Sequence, residues 1–350
     1  MSTVAQRVGA EELASRPRQS WRVDAVTMLL STWLLVGVVV DGWAHNNLAA
    51  LETFFTPWHA LFYSGFLASA GWILGVAART RTAGRHGLAA LPAGYDLAVV
   101  GVMVFAVGGI GDFLWHTIFG IEQDVQALFS PTHLLLFAGM ALIMSTPLRA
   151  AWTDPAGAAA PSYRRFLPVV ASATVTTVLV ALFFMYWAAF IQTVGADYLD
   201  EYNEHALLNG MASVLATNLI LLAPLLLLAR RWRLPFGTAT TIYGGVGVLI
   251  GAVDGFHHPA MLVAAVVAGL LVDGLLQVLR PSAGRPRRFW AAGALVPLTT
   301  WSVYFAAVAR TAGIGWSAEL WTGAIAWACL LGLALAVLML PPAVPSAAPR

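Results

Sequence analysis

Long apolar stretches separated by short polar segments make up most of this chain. Ten of them are long and apolar enough to cross a bilayer. They run over residues 24–44, 58–78, 95–117, 132–150, 166–192, 205–229, 235–253, 259–279, 289–309 and 319–340. The fourth is the shortest, and the seventh is rich in Gly and Thr. The pattern predicts an all-α, polytopic membrane protein with about ten transmembrane helices.

The composition agrees with a membrane location. Apolar residues account for 59% of the chain and charged residues for 10%, and the mean hydropathy is +0.76. A soluble domain carries about 25% charged residues. We therefore expect the lipid bilayer to be the main partner of the chain, with other membrane subunits as possible partners. The formal net charge of +2 does not indicate binding to nucleic acid.

The positive charges predict an orientation. All 19 basic residues are Arg, and only Arg310 falls outside the loops on one side of the predicted spans. By the positive-inside rule, both termini are cytoplasmic and the helices form five outward-pointing hairpins in a plasma or inner membrane.

This topology divides the chain into six predicted segments. They are a cytoplasmic N-terminal segment (1–23), two repeated hairpins with the candidate site (24–150), a cytoplasmic loop (151–164), the third and fourth hairpins (165–280), the fifth hairpin (281–341) and a cytoplasmic tail (342–350).

One polar motif occurs twice in the first two hairpins. The first copy is Asp41-Gly-Trp-Ala-His45 followed by Thr56-Pro57-Trp-His59, and the second is Asp112-Phe-Leu-Trp-His116 followed by Ser130-Pro131-Thr-His133. In each copy a Gly lies six residues after the last His, at Gly65 and Gly139. Asp and His four residues apart share one helix face. Each copy therefore predicts two imidazoles and a carboxylate at one end of a helical hairpin.

Such groups are costly inside a membrane and are candidates for function. Two His and one carboxylate form the donor set of non-haem iron sites, and copper and zinc use the same donors. Alternatively, the Asp is not a ligand itself but accepts a hydrogen bond from a ligand His and so orients the imidazole ring. A non-functional interpretation, in which these groups only form hydrogen bonds at the membrane surface, stays open.

The same spacing of acid and His occurs twice more. Asp254 and His258 lie before Pro259, which predicts a helix break between them, and we include both as candidate ligands. Glu201 and His205 lie in and beside an acidic loop, where the spacing can arise by chance. His86, next to Arg85, is predicted to be a solvated cytoplasmic residue.

The motif resembles the metal-binding motif of the membrane C subunit of copper-dependent methane and ammonia monooxygenases. The resemblance covers about 20 residues in each copy, and 13 and 16 residues lie between the two His of the first and second copy. It implies copper ligation by two sets of residues: Asp41, His45 and His59, and Asp112, His116 and His133.

Three functions are compatible with these observations. The first is a copper or non-haem iron oxidoreductase, and zinc is an alternative metal. The second is a metal carrier, sensor or assembly factor without catalysis. The third is a haem protein with axial His ligands, which the two Asp residues disfavour. Polar groups are scarce in the inner halves of the spans, which disfavours an ion channel or pump.

Overall fold

A computed structural model describes residues 16–48, 55–82, 84, 86–120, 128–154, 156–196 and 204–341. Within these ranges the protein is helical and contains no β-strand, only an isolated bridge between Ser282 and Arg285. Its α-helices are α1 (Trp21–Asn47), α2 (Pro57–Arg79), α3 (Asp96–Phe119), α4 (Pro131–Met144), α5 (Thr146–Trp152), α6 (Tyr163–Phe183), α7 (Glu204–Arg231), α8 (Thr238–Val253), α9 (Pro259–Leu279), α10 (Pro286–Thr311) and α11 (Ala318–Met339).

The predicted all-helical membrane architecture is confirmed. In the described part of the chain, 8 helices are long and apolar enough to cross a membrane, and α4 with α5 makes up to 9 if this bent pair is one span. The apolar helix α8, at the predicted seventh span, has only 16 residues. The predicted fifth span is shorter than expected, because α6 ends at Phe183 and two 3-10 turns follow. The orientation, the membrane of residence and the six predicted segments stay predictions.

The fourth span is broken at Ser145, where α4 and α5 meet at 45°. Pro147 follows at the start of α5, and its ring has no N–H to continue the helical hydrogen bonds. Neighbouring side chains form hydrogen bonds with the backbone groups that lose their helical partners at the break. Ser172 Oγ donates to Met144 O and accepts from Leu148 N, and Arg149 donates to Leu142 O. The break is therefore stabilised by specific contacts.

The chain divides into two compact units. Counting only described residues, the first contains those within 16–157, 164–183 and 248–257, and the second contains those within 158–163, 184–247 and 258–341. The first unit includes both copies of the repeated motif.

Glycines bring the helices of the first unit close together. A Cβ atom on Gly65 of α2 would lie 2.8 Å from Leu34 Cα of α1. A Cβ atom on Gly139 of α4 would lie 2.7 Å from Phe105 N of α3. These two glycines are the ones that follow the last His of each motif by six residues. The repeated Gly thus marks the crossing point of each hairpin, where small residues allow close helix packing.

The second unit buries polar groups that stabilise helix ends and turns. Asp273 of α9 accepts hydrogen bonds from the N–H groups of Ala239 and Thr240, at 2.9 Å each. These groups begin α8 and have no partner within their own helix. Tyr304 likewise accepts from Val194 N and donates to the carbonyl oxygens of Ala189 and Gln192. These buried polar residues therefore have structural roles.

Candidate metal centre

The first triad lies where α1 ends and α2 begins. Asp41 and His45 are one helical turn apart near the end of α1, with 3.8 Å between Asp41 Oδ2 and His45 Nε2. Thr56 caps α2, Pro57 takes its first position, and the Thr56 side chain accepts a hydrogen bond from His59 N. This cap directs the first turn of α2 towards α1, and His59 Nε2 lies 3.5 Å from Asp41 Oδ1.

The second triad repeats this arrangement between α3 and α4. Asp112 and His116 lie on α3, with 3.4 Å between Asp112 Oδ1 and His116 Nε2. Ser130 caps α4 before Pro131, and its side chain accepts from His133 N. His133 Nε2 then lies 2.9 Å from Asp112 Oδ1. The Ser/Thr-Pro-x-His sequence is therefore a helix start that places His in the first turn.

The distances fit metal coordination. Each triad offers one ligand atom per residue, and these atoms lie within 4.8 Å of one another. Ligands about 2.1 Å from a common metal are separated by about 3.0–3.5 Å, depending on the coordination angle. The carboxylate–imidazole distances here range from 2.9 to 3.8 Å. Small side-chain adjustments would therefore allow each triad to coordinate an ion.

The two triads lie side by side. Ring centroids are 6.0 Å apart for His45 and His59, 6.3 Å for His59 and His116, and 5.6 Å for His116 and His133. His59 and His116 are buried, while the side chains of His45 and His133 are each 19% exposed. The four imidazoles thus form a row with a buried middle and two more accessible ends.

The tautomer of His116 supports a cation at the second triad. His116 Nδ1 lies 3.3 Å from Gly120 O, and a carbonyl oxygen only accepts, so Nδ1 carries the proton. In the neutral ring, Nε2 then presents a lone pair towards Asp112 Oδ1. A metal ion, or a second proton on the ring, converts this repulsion into attraction. A backbone carbonyl on the remote nitrogen is also the usual way in which a metal-ligating His is oriented.

The two carboxylates differ in their hydrogen bonds. Asp112 is 2% exposed and accepts from Tyr63 Oη at Oδ2 and from Thr132 Oγ1 at Oδ1, both at 3.2 Å. Asp41 Oδ1 is buried and makes no hydrogen bond to any described residue. A buried carboxylate oxygen without a donor is costly. Coordination of an ion would satisfy it, so the residues of the centre fit a metal.

The sequence does not single out Tyr63 or Thr132, because Tyr63 is a lone Tyr in an apolar helix and the first copy of the motif has Trp58 at the position of Thr132. Gly37 and Gly108 were missed although a signal exists, since each lies four residues before the Asp of its triad. A Cβ atom on Gly37 would lie 2.6 Å from Phe62 Cα, and one on Gly108 would lie 3.1 Å from Leu136 N. The repeat is therefore Gly-x-x-x-Asp-x-x-x-His, with the Gly at the helix crossing.

The remaining candidate ligands lie outside the two triads. Asp254 follows α8, and its Oδ2 lies 3.6 Å from Nδ1 of His257, whose side chain is 68% exposed. His258 precedes the first residue of α9. Neither Asp254 nor His258 belongs to a metal-compatible group of described residues, and their ligand role stays a prediction. His86 and His205 are exposed, and Glu201 lies outside the described residues.

No protein-family model, curated protein or solved structure matches this chain. The resemblance to the monooxygenase C subunit therefore rests on the local motif alone, and the two metal-compatible triads of a helical membrane protein carry the functional argument.

Proposed function

We propose that this chain is a membrane metalloprotein that binds two metal ions at the paired triads. The observation that carries this proposal is the duplication. Two sets of one Asp and two His, each with ligand spacing, lie side by side, and the ring centroids of His59 and His116 are 6.3 Å apart. Buried charges and imidazoles within membrane helices are retained when they serve a function.

Copper is the metal that we propose first, with non-haem iron and zinc as alternatives. Both triads offer imidazole nitrogen and carboxylate oxygen, which suit copper, iron and zinc. Neither contains a thiolate, since the only cysteine, Cys329, belongs to α11. Two His and one carboxylate also leave coordination positions open for another ligand.

Open coordination positions on the metal support an oxidoreductase function. When bound, copper or iron at such a triad supplies redox chemistry. The protein's own residues would hold the ligands in place: Gly120 O orients His116, and Tyr63 and Thr132 orient Asp112.

A metal carrier or assembly factor is the second candidate. The partial exposure of His45 and His133 favours it, because the end ligands of the row are accessible for metal exchange. Haem binding is less consistent with the geometry, since the centre directs a carboxylate at imidazole nitrogens in both triads.

Metal analysis of the purified protein tests the proposal. Protein extracted in mild detergent, stripped and reloaded with Cu²⁺, Fe²⁺ or Zn²⁺, should bind two ions per chain by mass spectrometry. EPR of the copper form should show nitrogen and oxygen coordination. His59→Ala and His116→Ala should each lower metal content sharply, because each removes one of three protein ligands.

His86→Ala is the control, since this His is exposed and lies outside both triads. It should retain full metal content. The proposal is wrong if the wild-type protein takes up no metal, or if both triad variants retain the wild-type amount.

A further inference from the structure

An apolar groove lies between α2 and α3 in the first unit. Its volume is about 410 Å³, and its lining includes Phe66, Leu67, Phe105, Ala106, Ile110 and Phe113. Leu67 and Ile110 are 68% and 66% exposed, although they lie on helices long enough to cross a membrane. Exposed apolar side chains on such helices face the hydrocarbon of the bilayer. The groove is therefore accessible from the lipid phase.

The groove reaches the metal centre at Tyr63. Its lining on α3 runs from Phe105 to Phe113, about 12 Å along the helix at 1.5 Å per residue, and ends beside Asp112. Tyr63 lines the groove with its ring and donates its hydroxyl hydrogen to Asp112 Oδ2. Gly109 makes room for this ring, because a Cβ atom there would lie 3.0 Å from Tyr63 Cε1.

A second cavity also has Tyr63 in its lining. It has a volume of about 470 Å³, and Tyr63, His59 and the first residues of α2 line it. The two cavities thus share Tyr63, and one of them contains a ligand of the first triad. None of the described residues that line either cavity is Lys, Arg, Asp or Glu, so the chemistry of this lining favours an uncharged molecule.

We propose that the α2–α3 groove binds the alkyl chain of an uncharged, single-chain amphiphile dissolved in the membrane. The polar end of this molecule lies beside Tyr63 and His59. This substrate class rests on the proposed metal function, because the triads are what the polar end would meet. Tyr63 is then a positioning residue, which separates the alkyl chain from the ligands and holds Asp112.

Photolabelling in nanodiscs tests the groove without requiring metal. The probe is a long-chain fatty alcohol that carries a diazirine on its alkyl chain. In wild-type protein it should label peptides that contain Leu67 and Ile110 in preference to other lipid-facing segments. Ala106→Trp fills the groove and should lower this labelling about tenfold, because the indole occupies space that the alkyl chain of the probe needs and making room for both would carry an overpacking cost.

Val107→Trp is the matched control. Val107 is the next residue on α3, is 60% exposed and does not line the groove. It should leave labelling unchanged. Equal labelling in Ala106→Trp and wild type, or labelling spread evenly over the lipid-facing helices, would overturn the proposal.

The EPR spectrum of the Cu²⁺-loaded protein tests whether the groove leads to the centre. Unlabelled dodecanol should change the spectrum of wild type and Val107→Trp, but not that of Ala106→Trp. If the groove is labelled and the spectrum does not change, the groove is not the substrate route, although metal binding stands. If labelling occurs and no metal binds, the proposed metal function fails and alkyl-chain binding stands.

Discussion

At the level of single residues, the two triads differ in the hydrogen bonds that their Asp carboxylates accept. Asp112 accepts hydrogen bonds from Tyr63 and Thr132, whereas Asp41 Oδ1 accepts none from the described residues. Tyr63→Phe removes one donor and retains the ring. We expect metal affinity at the second triad to fall about 10–100-fold, as is typical when a group that orients a ligand is lost. Competition with a chelator measures this change.

Tyr95→Phe is a matched control. Tyr95 also donates its hydroxyl hydrogen to a carboxylate, Asp24, but belongs to a separate network with Thr27. Its loss should leave metal affinity unchanged. A wild-type affinity in Tyr63→Phe would show that the Tyr63–Asp112 hydrogen bond has no role in binding.

At the element scale, the close crossing of each hairpin places its ligands opposite one another. Gly65→Ala puts a Cβ atom 2.8 Å from Leu34 Cα, so α1 and α2 must move apart. We expect a loss of about 1–3 kcal/mol in the free energy of unfolding and weaker metal binding at the first triad. Thermal unfolding in detergent and metal titration measure the two effects.

Gly71→Ala on the same helix is the control, because a Cβ atom there meets nothing within 4 Å. Alanine has the higher helix propensity, so this variant should be neutral or slightly more stable. If both substitutions have the same effect, the close approach at Gly65 is not what stabilises the hairpin.

At the scale of the whole molecule, the orientation predicted from the Arg distribution determines which side of the membrane contains the centre. A reporter fused after Arg350 should be active only in the cytoplasm, and one inserted near Asp197 only on the opposite side. Both insertion points lie outside the described residues. Activity of the C-terminal reporter on the outer side would reverse the orientation and place the triads at the cytoplasmic end of their helices.

The helical membrane class and the local form of each triad can be predicted from the amino-acid sequence alone. Asp41 and His45 share a helix face because four residues make about one turn, and Thr56-Pro57 starts a helix because of its capping chemistry. These features depend on neighbours in the chain, so periodicity and local motifs are sufficient to predict them. The long apolar stretches likewise follow from the thickness of a bilayer.

The placement of the two triads next to each other depends on tertiary packing, which the sequence pattern does not predict. The contact between His59 and His116, the hydrogen bond from Tyr63 to Asp112 and the capping of α8 by Asp273 all join different helices. The break at Ser145 also depends on a partner from another helix, Ser172. Such contacts depend on which helix faces pack together and on how each helix is rotated about its own axis. Hydrophobic patterns are weak guides to that packing in a membrane, where lipid-facing and buried positions are both apolar.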